Sequence, residues 1–198
     1  MPGTAVNVEP TTALPVIVGT GVVTIVAAPT GVAAINAGGV TLHSLFQLPL
    51  HPLLPTNAGK QELLAKIRYN KQRLQLLRKM EVLIIDEVSM VRCDVMDAID
   101  TILRSVRYKH DEPFGGVQVV LFGDPYQLAP VPGRDEGERA YYADHYRSMW
   151  FFDAAVWREA DLRIVELQTI HRQHDADFRA MLTAVRHGAV SPEIGWAL

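Results

Sequence analysis

The chain has 198 residues, 48% of them hydrophobic, with a formal net charge of −3, which suits the core of one domain and leaves little room for two. That charge excludes a generally basic nucleic-acid coat, though not a local patch. The single cysteine, Cys93, excludes a disulfide framework and no zinc site is expected; no apolar run approaches the roughly 20 residues that cross a bilayer, nor does the start resemble a secretory signal, so a soluble intracellular protein is expected.

In chain order, Val22 to Ala27 reads as a short strand, and Pro29-Thr30-Gly31 turns it into a helix over Val32 to Ala37 that Gly38-Gly39 stops. A proline-rich loop, Pro49 to Pro55, precedes a basic stretch from Lys60 to Lys79. There Lys60, Lys66, Arg68, Lys71, Arg73, Arg78 and Lys79 face Glu62 alone, and Leu63, Ile67, Leu74 and Leu77 recur at helical spacing. The pattern predicts one amphipathic helix with a basic outer face, either a polyanion surface or an ordinary solvated one. Strand Val82 to Ile85, a helix from Asp94 to Arg107 buried through Val95, Ile99, Ile102 and Val106, and strand Val117 to Phe122 follow. A charged loop, Gly133 to Ser148, leads to the aromatic segment Trp150 to Trp157, expected to pack as core. Strand Leu162 to Leu167 and a helix from Asp175 to His187 close the series. Strands alternating with helices imply an α/β fold with a parallel sheet covered on both faces.

Two segments carry chemistry. VLIIDEVSMV, Val82 to Val91, and VQVVLFGDPYQLAPV, Val117 to Val131, are β-branched runs that end in acidic residues. In a parallel sheet such ends meet at the ligand-binding edge. There Asp86 suits Mg²⁺ coordination and Glu87 the positioning of an attacking water, with Asp124 and Gln127 on a neighbouring strand. The alternative for Asp86-Glu87 is a plain helix cap. His43 and His171 read, from the residues alone, as core histidines, and the His171/His174 spacing has no Cys or His cluster to make a metal site.

APTGVAAINAGGVTLHSLFQLP (Ala28 to Pro49), IIDEVSMV, PFGGVQVVLFGDPYQLAPV and TIHRQHDADFRAMLTAVRHG (Thr169 to Gly188) stand in the order of four helicase motifs. They resemble the Pif-type (petite integration frequency) superfamily 1 DNA helicases, relatives of the RecD helicase subunit. The resemblance implies a three-layer RecA-like P-loop NTPase fold with a mostly parallel sheet, incomplete at the N-terminus. It implies ATP and Mg²⁺ as cofactors and single-stranded DNA as partner. Asp86 and Glu87 match the metal and water pair, and Gln127 the γ-phosphate sensor beside Asp124. Arg172 matches an arginine that reaches the same phosphate, where a planar fork gives paired hydrogen bonds. Pro29, Thr30, Gly31, Thr41, His43 and Ser44 match segments that line the single-strand track, whose contacts are blind to sequence.

The chain departs from that pattern in lacking a G-x-x-x-x-G-K-[ST] loop; only Val16-Ile17-Val18-Gly19-Thr20-Gly21 precedes Val22, and no lysine occurs before Lys60. The expected organisation is an atypical segment over 1–21, a first motor domain over 22–190 and a truncated end over 191–198, with the second motor domain missing or replaced by another protein partner. By lineage the reading is an ATP-dependent DNA helicase moving 5′ to 3′ in repair, recombination or genome maintenance, telomeres included. The chain alone is expected to be inactive. The alternatives are a non-catalytic module that binds single strands and a structural fragment with an exposed sheet edge.

Overall fold

The computed structural model describes residues 16–19, 21–53, 55–131, 136–167, 175–186 and 188–189, with side chains described for all of these but 16–19, 136–139 and 141. The chain divides into two compact units, Met1–Asp161 and Leu162–Leu198.

The first unit is built on a five-stranded sheet: β1 (Val16–Gly19), β2 (Val22–Ala28), β3 (Val40–Thr41), β4 (Val82–Ile85) and β5 (Gln118–Leu121). The order is β1-β2-β4-β5, with β3 also paired to β2. β2, β3, β4 and β5 run parallel, and Ala27, Ile85 and Leu121 share one row. β1 is antiparallel to β2, a hairpin absent from the sequence reading. It turns at Gly21, whose φ of +87° glycine reaches without a Cβ clash.

The helices of this unit are α1 (Gly31–Asn36), α2 (Leu42–Phe46), α3 (Asn57–Lys66), α4 (Lys71–Lys79) and α5 (Cys93–Arg107), between the strands, and α6 (Glu136–His145) and α7 (Ala155–Glu159), after β5. Ile25 and Ala27 of β2, Leu83 and Ile85 of β4, and Met96, Ile99, Ile102 and Leu103 of α5 are fully buried and join one core. Arg107 ties the end of α4 to that core, its Nη1 donating to the carbonyls of Arg78 at 2.8 Å and Met80 at 2.7 Å. Such bonds satisfy carbonyls that a helix end leaves open. In the aromatic segment Phe151 is buried against Trp157, with ring centroids 5.3 Å apart.

Three expectations need correction. The basic stretch Lys60 to Lys79 is two helices. Its break at 67–70 has a local and a tertiary cause: Asn70 Oδ1 accepts from Arg73 N at 2.8 Å and caps α4, while the Tyr69 hydroxyl donates to Phe46 O at 2.7 Å. The loop expected over Gly133 to Ser148 contains α6. Leu162 to Leu167, in the second unit, is not a strand: it pairs with no strand among the described residues, and Ile164, Val165 and Leu167 are 80%, 70% and 85% exposed. A β-branched run becomes a strand only where a neighbour takes its backbone groups. The helix expected after it is α8 (Ala176–Arg186). Among the described residues no helix is long and apolar enough to cross a membrane.

Candidate nucleotide site and strand track

Because β2, β3, β4 and β5 are parallel, their carboxyl ends share one edge of the sheet. Pro29, Thr30 and Gly31 follow β2; Thr41 ends β3 and leads into α2 with His43 and Ser44; Asp86 and Glu87 follow β4; Asp124 and Gln127 follow β5. Arg172, with His171 and His174, lies outside the described residues.

The Asp86-Glu87 turn is clamped between two strands. Asp86 N donates to Ala27 O of β2 at 2.9 Å, Phe122 N to Ile85 O at 2.9 Å, and Val88 N to Phe122 O at 2.8 Å. Between these anchors Glu87 takes φ +52° and ψ +42°, a left-handed conformation rare for a residue with a Cβ. Asp86 Oδ1 accepts from Glu87 N at 3.0 Å, and no side chain among the described residues bonds either carboxylate. Just behind them, the fully buried Ser89 Oγ has no hydrogen-bond partner among the described residues, which costs about 1–3 kcal/mol. Local strain and an unmet polar atom beside two available carboxylates are what a site shaped for chemistry tolerates.

The neighbouring turn is compact. Asp124 accepts from Tyr126 N at Oδ1, 3.1 Å, from Gln127 Nε2 at Oδ2, 3.2 Å, and from Gln127 N at its carbonyl, 3.0 Å. The Gln127 amide and the Asp124 acid are thus held in one loop. Hard carboxylate oxygens fit Mg²⁺, which takes one or two carboxylates and completes its shell with phosphate and water. Among the described residues no cluster of three or more His, Cys, Asp or Glu forms a dedicated metal cage; Asp86, at the end of β4, is the residue that would hold such an ion.

The strand-track candidates are organised by helix caps. Thr30 Oγ1 accepts from Ala33 N at 3.2 Å and Thr41 Oγ1 from Ser44 N at 3.1 Å, so each hydroxyl starts a short helix and keeps its proton for another acceptor. Gly31 and Ser44 are exposed, and a Cβ at Gly31 would meet open space. The His43 pKa is lowered by burial first and by the Arg92 charge second, against the opposing Asp94 charge. It is therefore largely neutral near pH 7.

Arg92 and Asp94 escaped the sequence reading. The Arg92 fork donates to Asp94 at 2.9 and 3.0 Å, and Asp94 Oδ2 accepts from Leu53 N at 3.0 Å, joining the loop before α3 to the start of α5. The signal that could have found Asp94 is its place with Asp97 and Asp100 at every third position of α5, one face of a helix. Part of the basic stretch also serves the fold: Lys66 pairs with Glu62, and Arg78 donates to Val106 O at 2.9 Å with its guanidinium 5.2 Å from the Tyr108 ring centroid.

Comparison with known proteins bears on this arrangement. The model of the PIF1-like helicase family matches residues 10–194. The chain belongs to the PIF1-like helicase family. It is 35% identical over 169 residues to the ATP-dependent DNA helicase RRM3 of Saccharomyces cerevisiae, covering 85% of this chain and 21% of that one. It is 40% identical over 171 residues to the ATP-dependent DNA helicase PIF1 of Emericella nidulans, covering 84% of this chain and 20% of that one. The chain thus spans about a fifth of the length of these curated relatives. Among solved structures, the Pif1 helicase from Bacteroides in complex with ADP-AlF3 and single-stranded DNA superposes with a TM-score of 0.78 at 47% identity, over 86% of this chain and 38% of that one. The same helicase bound to single-stranded DNA gives 0.79 at 47% identity, over 88% and 39%. The α/β fold with its mostly parallel sheet is therefore the RecA-like fold of Pif1 helicases.

Proposed function

We propose that these 198 residues form the first RecA-like motor domain of an ATP-dependent DNA helicase that moves 5′ to 3′ on single strands, inside the cell, in repair, recombination or genome maintenance. The observation that carries the reading is the clamped Asp86-Glu87 turn beside the Asp124-Gln127 turn, on one sheet edge with the caps of Thr30 and Thr41. In this reading Asp86 holds Mg²⁺ on ATP, Glu87 orients the attacking water, Gln127 meets the γ-phosphate, and Arg172 donates to the same phosphate. Mg²⁺ when bound supplies charge neutralisation on the phosphates. Thr30, Thr41, His43 and Ser44 offer hydroxyls and a ring nitrogen to strand phosphates, contacts that position without reading bases.

The 198 residues contain no G-x-x-x-x-G-K-[ST] sequence. Losing one preorganised donor to a charged transition state costs roughly 10² to 10³ in rate, so hydrolysis by this chain alone is expected near background. Strand binding is the part of the function it can carry alone. Fluorescence anisotropy with a labelled oligo-dT tests this. Expected are binding that weakens as salt rises and a loss of roughly threefold to tenfold in affinity in a Thr41→Ala, His43→Ala double variant. No binding at low salt, or binding indifferent to both residues, contradicts the reading.

The cap hydroxyls of Thr30 and Thr41 would serve equally in a second reading, a single-strand-binding module without catalysis. Strand affinity that responds to Mg²⁺ and ATP, and loses that response in Asp86→Asn, excludes it.

A further inference from the structure

Gly123 opens the turn that carries Asp124 and Gln127, and it sits against the turn that follows Glu87. A Cβ at Gly123 would lie 2.9 Å from Val88 Cγ1, 3.0 Å from Ser89 N and 3.0 Å from Val88 N. Two of those atoms are backbone and cannot swing aside as a flexible side chain does. At the same place Val88 N donates to Phe122 O at 2.8 Å, the bond that closes the clamp around Glu87. Gly123 itself is exposed on its outer side and its φ is not in the left-handed range, so neither burial nor backbone conformation calls for glycine here. Close approach does.

We propose that Gly123 is a positioning residue for the Asp86-Glu87 pair: having no side chain, it lets the β5 turn press on the Val88-Ser89 backbone and holds Glu87 in its left-handed conformation. The inference rests on the reading of Asp86 and Glu87 as the metal and water pair. The mechanical content is independent of hydrolysis. With a Cβ at 123 the β5 turn recoils, the Val88–Phe122 bond lengthens, and Glu87 relaxes toward an ordinary backbone conformation, moving its carboxylate away from Asp86. The turn can recoil without unfolding the domain because residues 125–129 that follow are exposed, whereas the core runs through β2, β4 and α5. The Ser89 hydroxyl in the same turn, buried with no partner among the described residues, is a second sign that the turn is held against local preference.

The test is amide hydrogen exchange on the full chain, comparing wild type with Gly123→Ala and with the double variant Gly123→Ala, Val88→Ala. The expected result is about tenfold faster exchange at Val88 in Gly123→Ala, with the Ile99 and Ile102 amides of α5 within about twofold of wild type. The double variant is expected to exchange as fast as the single one, because removing Val88 Cγ1 leaves the two backbone clashes in place. Unchanged exchange at Val88 overturns the proposal, as does a rise shared equally by the α5 amides, which would mark a merely structural glycine. Restored protection in the double variant also overturns it, since the contact would then be side-chain packing. Oligo-dT binding measured on the same samples separates the two claims: wild type that fails to bind strands sinks the helicase reading and leaves the exchange result to stand or fall by itself.

Discussion

Asp86 and Asp97 are eleven positions apart and serve opposite ends. Asp97 lies in α5 between Asp94 and Asp100, and the three are only 6%, 1% and 6% exposed. Five of their six carboxylate oxygens accept hydrogen bonds among the described residues. Asp97 accepts from Ala155 N at 3.0 Å, Val156 N at 2.9 Å and the Tyr146 hydroxyl at 2.9 Å; Asp100 accepts from Phe114 N at 2.6 Å and Arg104 Nε at 2.8 Å; Asp94 takes Leu53 N and the Arg92 fork. Each carboxylate fastens a distant loop to α5. The carboxylates of Asp86 and Glu87, half-buried at the end of β4, accept one bond between them among the described residues, from a neighbouring amide. A buried acid that has met its donors stabilises the fold, while an acid that a strained turn holds with open lone pairs is available to a metal and a water.

The comparison breaks first at Asp97. Asp97→Ala leaves the buried Val156 amide, the part-buried Ala155 amide and the buried Tyr146 phenol without that acceptor, about 1–3 kcal/mol each before relaxation, so a total loss of about 3–5 kcal/mol is expected in urea unfolding. A loss below about 1 kcal/mol would mean that water replaces the carboxylate and that the α5 row is not structural. Asn70→Ala removes one side-chain bond of the same kind, Oδ1 to Arg73 N, at an exposed helix start. It should cost about 1 kcal/mol, read the same way. Glu87→Gln should shift stability by less than about 0.5 kcal/mol, because no side chain among the described residues bonds that carboxylate.

The smallest effect is the pH dependence set by His43. Its folded pKa lies below the unfolded value, so below pH 6.5 the unfolded chain takes up a proton that the folded chain resists. Stability is then lost as pH falls from 6.5 toward the folded pKa, and above 6.5 the group contributes no slope. His43→Gln is expected to flatten that part of the profile in urea midpoints measured at pH 7.5 and 5.5. An unchanged slope would mean that Arg92 and burial do not act on His43 as described.

The strand ends were legible in the sequence because their signal is local: β-branched runs closed by Asp-Glu or Gly-Asp need no partner to be recognised. The caps at Thr30 and Thr41 have an equally local basis, each three positions before the amide from which it accepts, but the sequence reading took both residues only as strand-track matches. The Asp row of α5 was not legible, because its donors come from positions as far apart as Leu53, Phe114, Tyr146 and Val156. Its acids read as a solvent face until those loops arrive. The break in the basic stretch had a visible half, Asn70, and a hidden half, the Tyr69 bond to Phe46 O. Leu162 to Leu167 has the composition of a strand, but composition cannot supply a neighbour. The φ of Glu87 and the close approach of Gly123 depend on how two strand ends meet, which no single segment encodes.

The most direct test of the central claim, that the Asp86-Glu87 turn is held ready for chemistry and not for the fold, is a paired urea unfolding of Glu87→Gly and Asp97→Ala. The account predicts opposite signs. Glycine at φ +52° relieves the left-handed strain and should raise stability by about 1 kcal/mol, while Asp97→Ala lowers it several-fold more. A Glu87→Gly variant destabilised to the same degree as Asp97→Ala would contradict the account, since the strand-end acid would then be one more structural carboxylate.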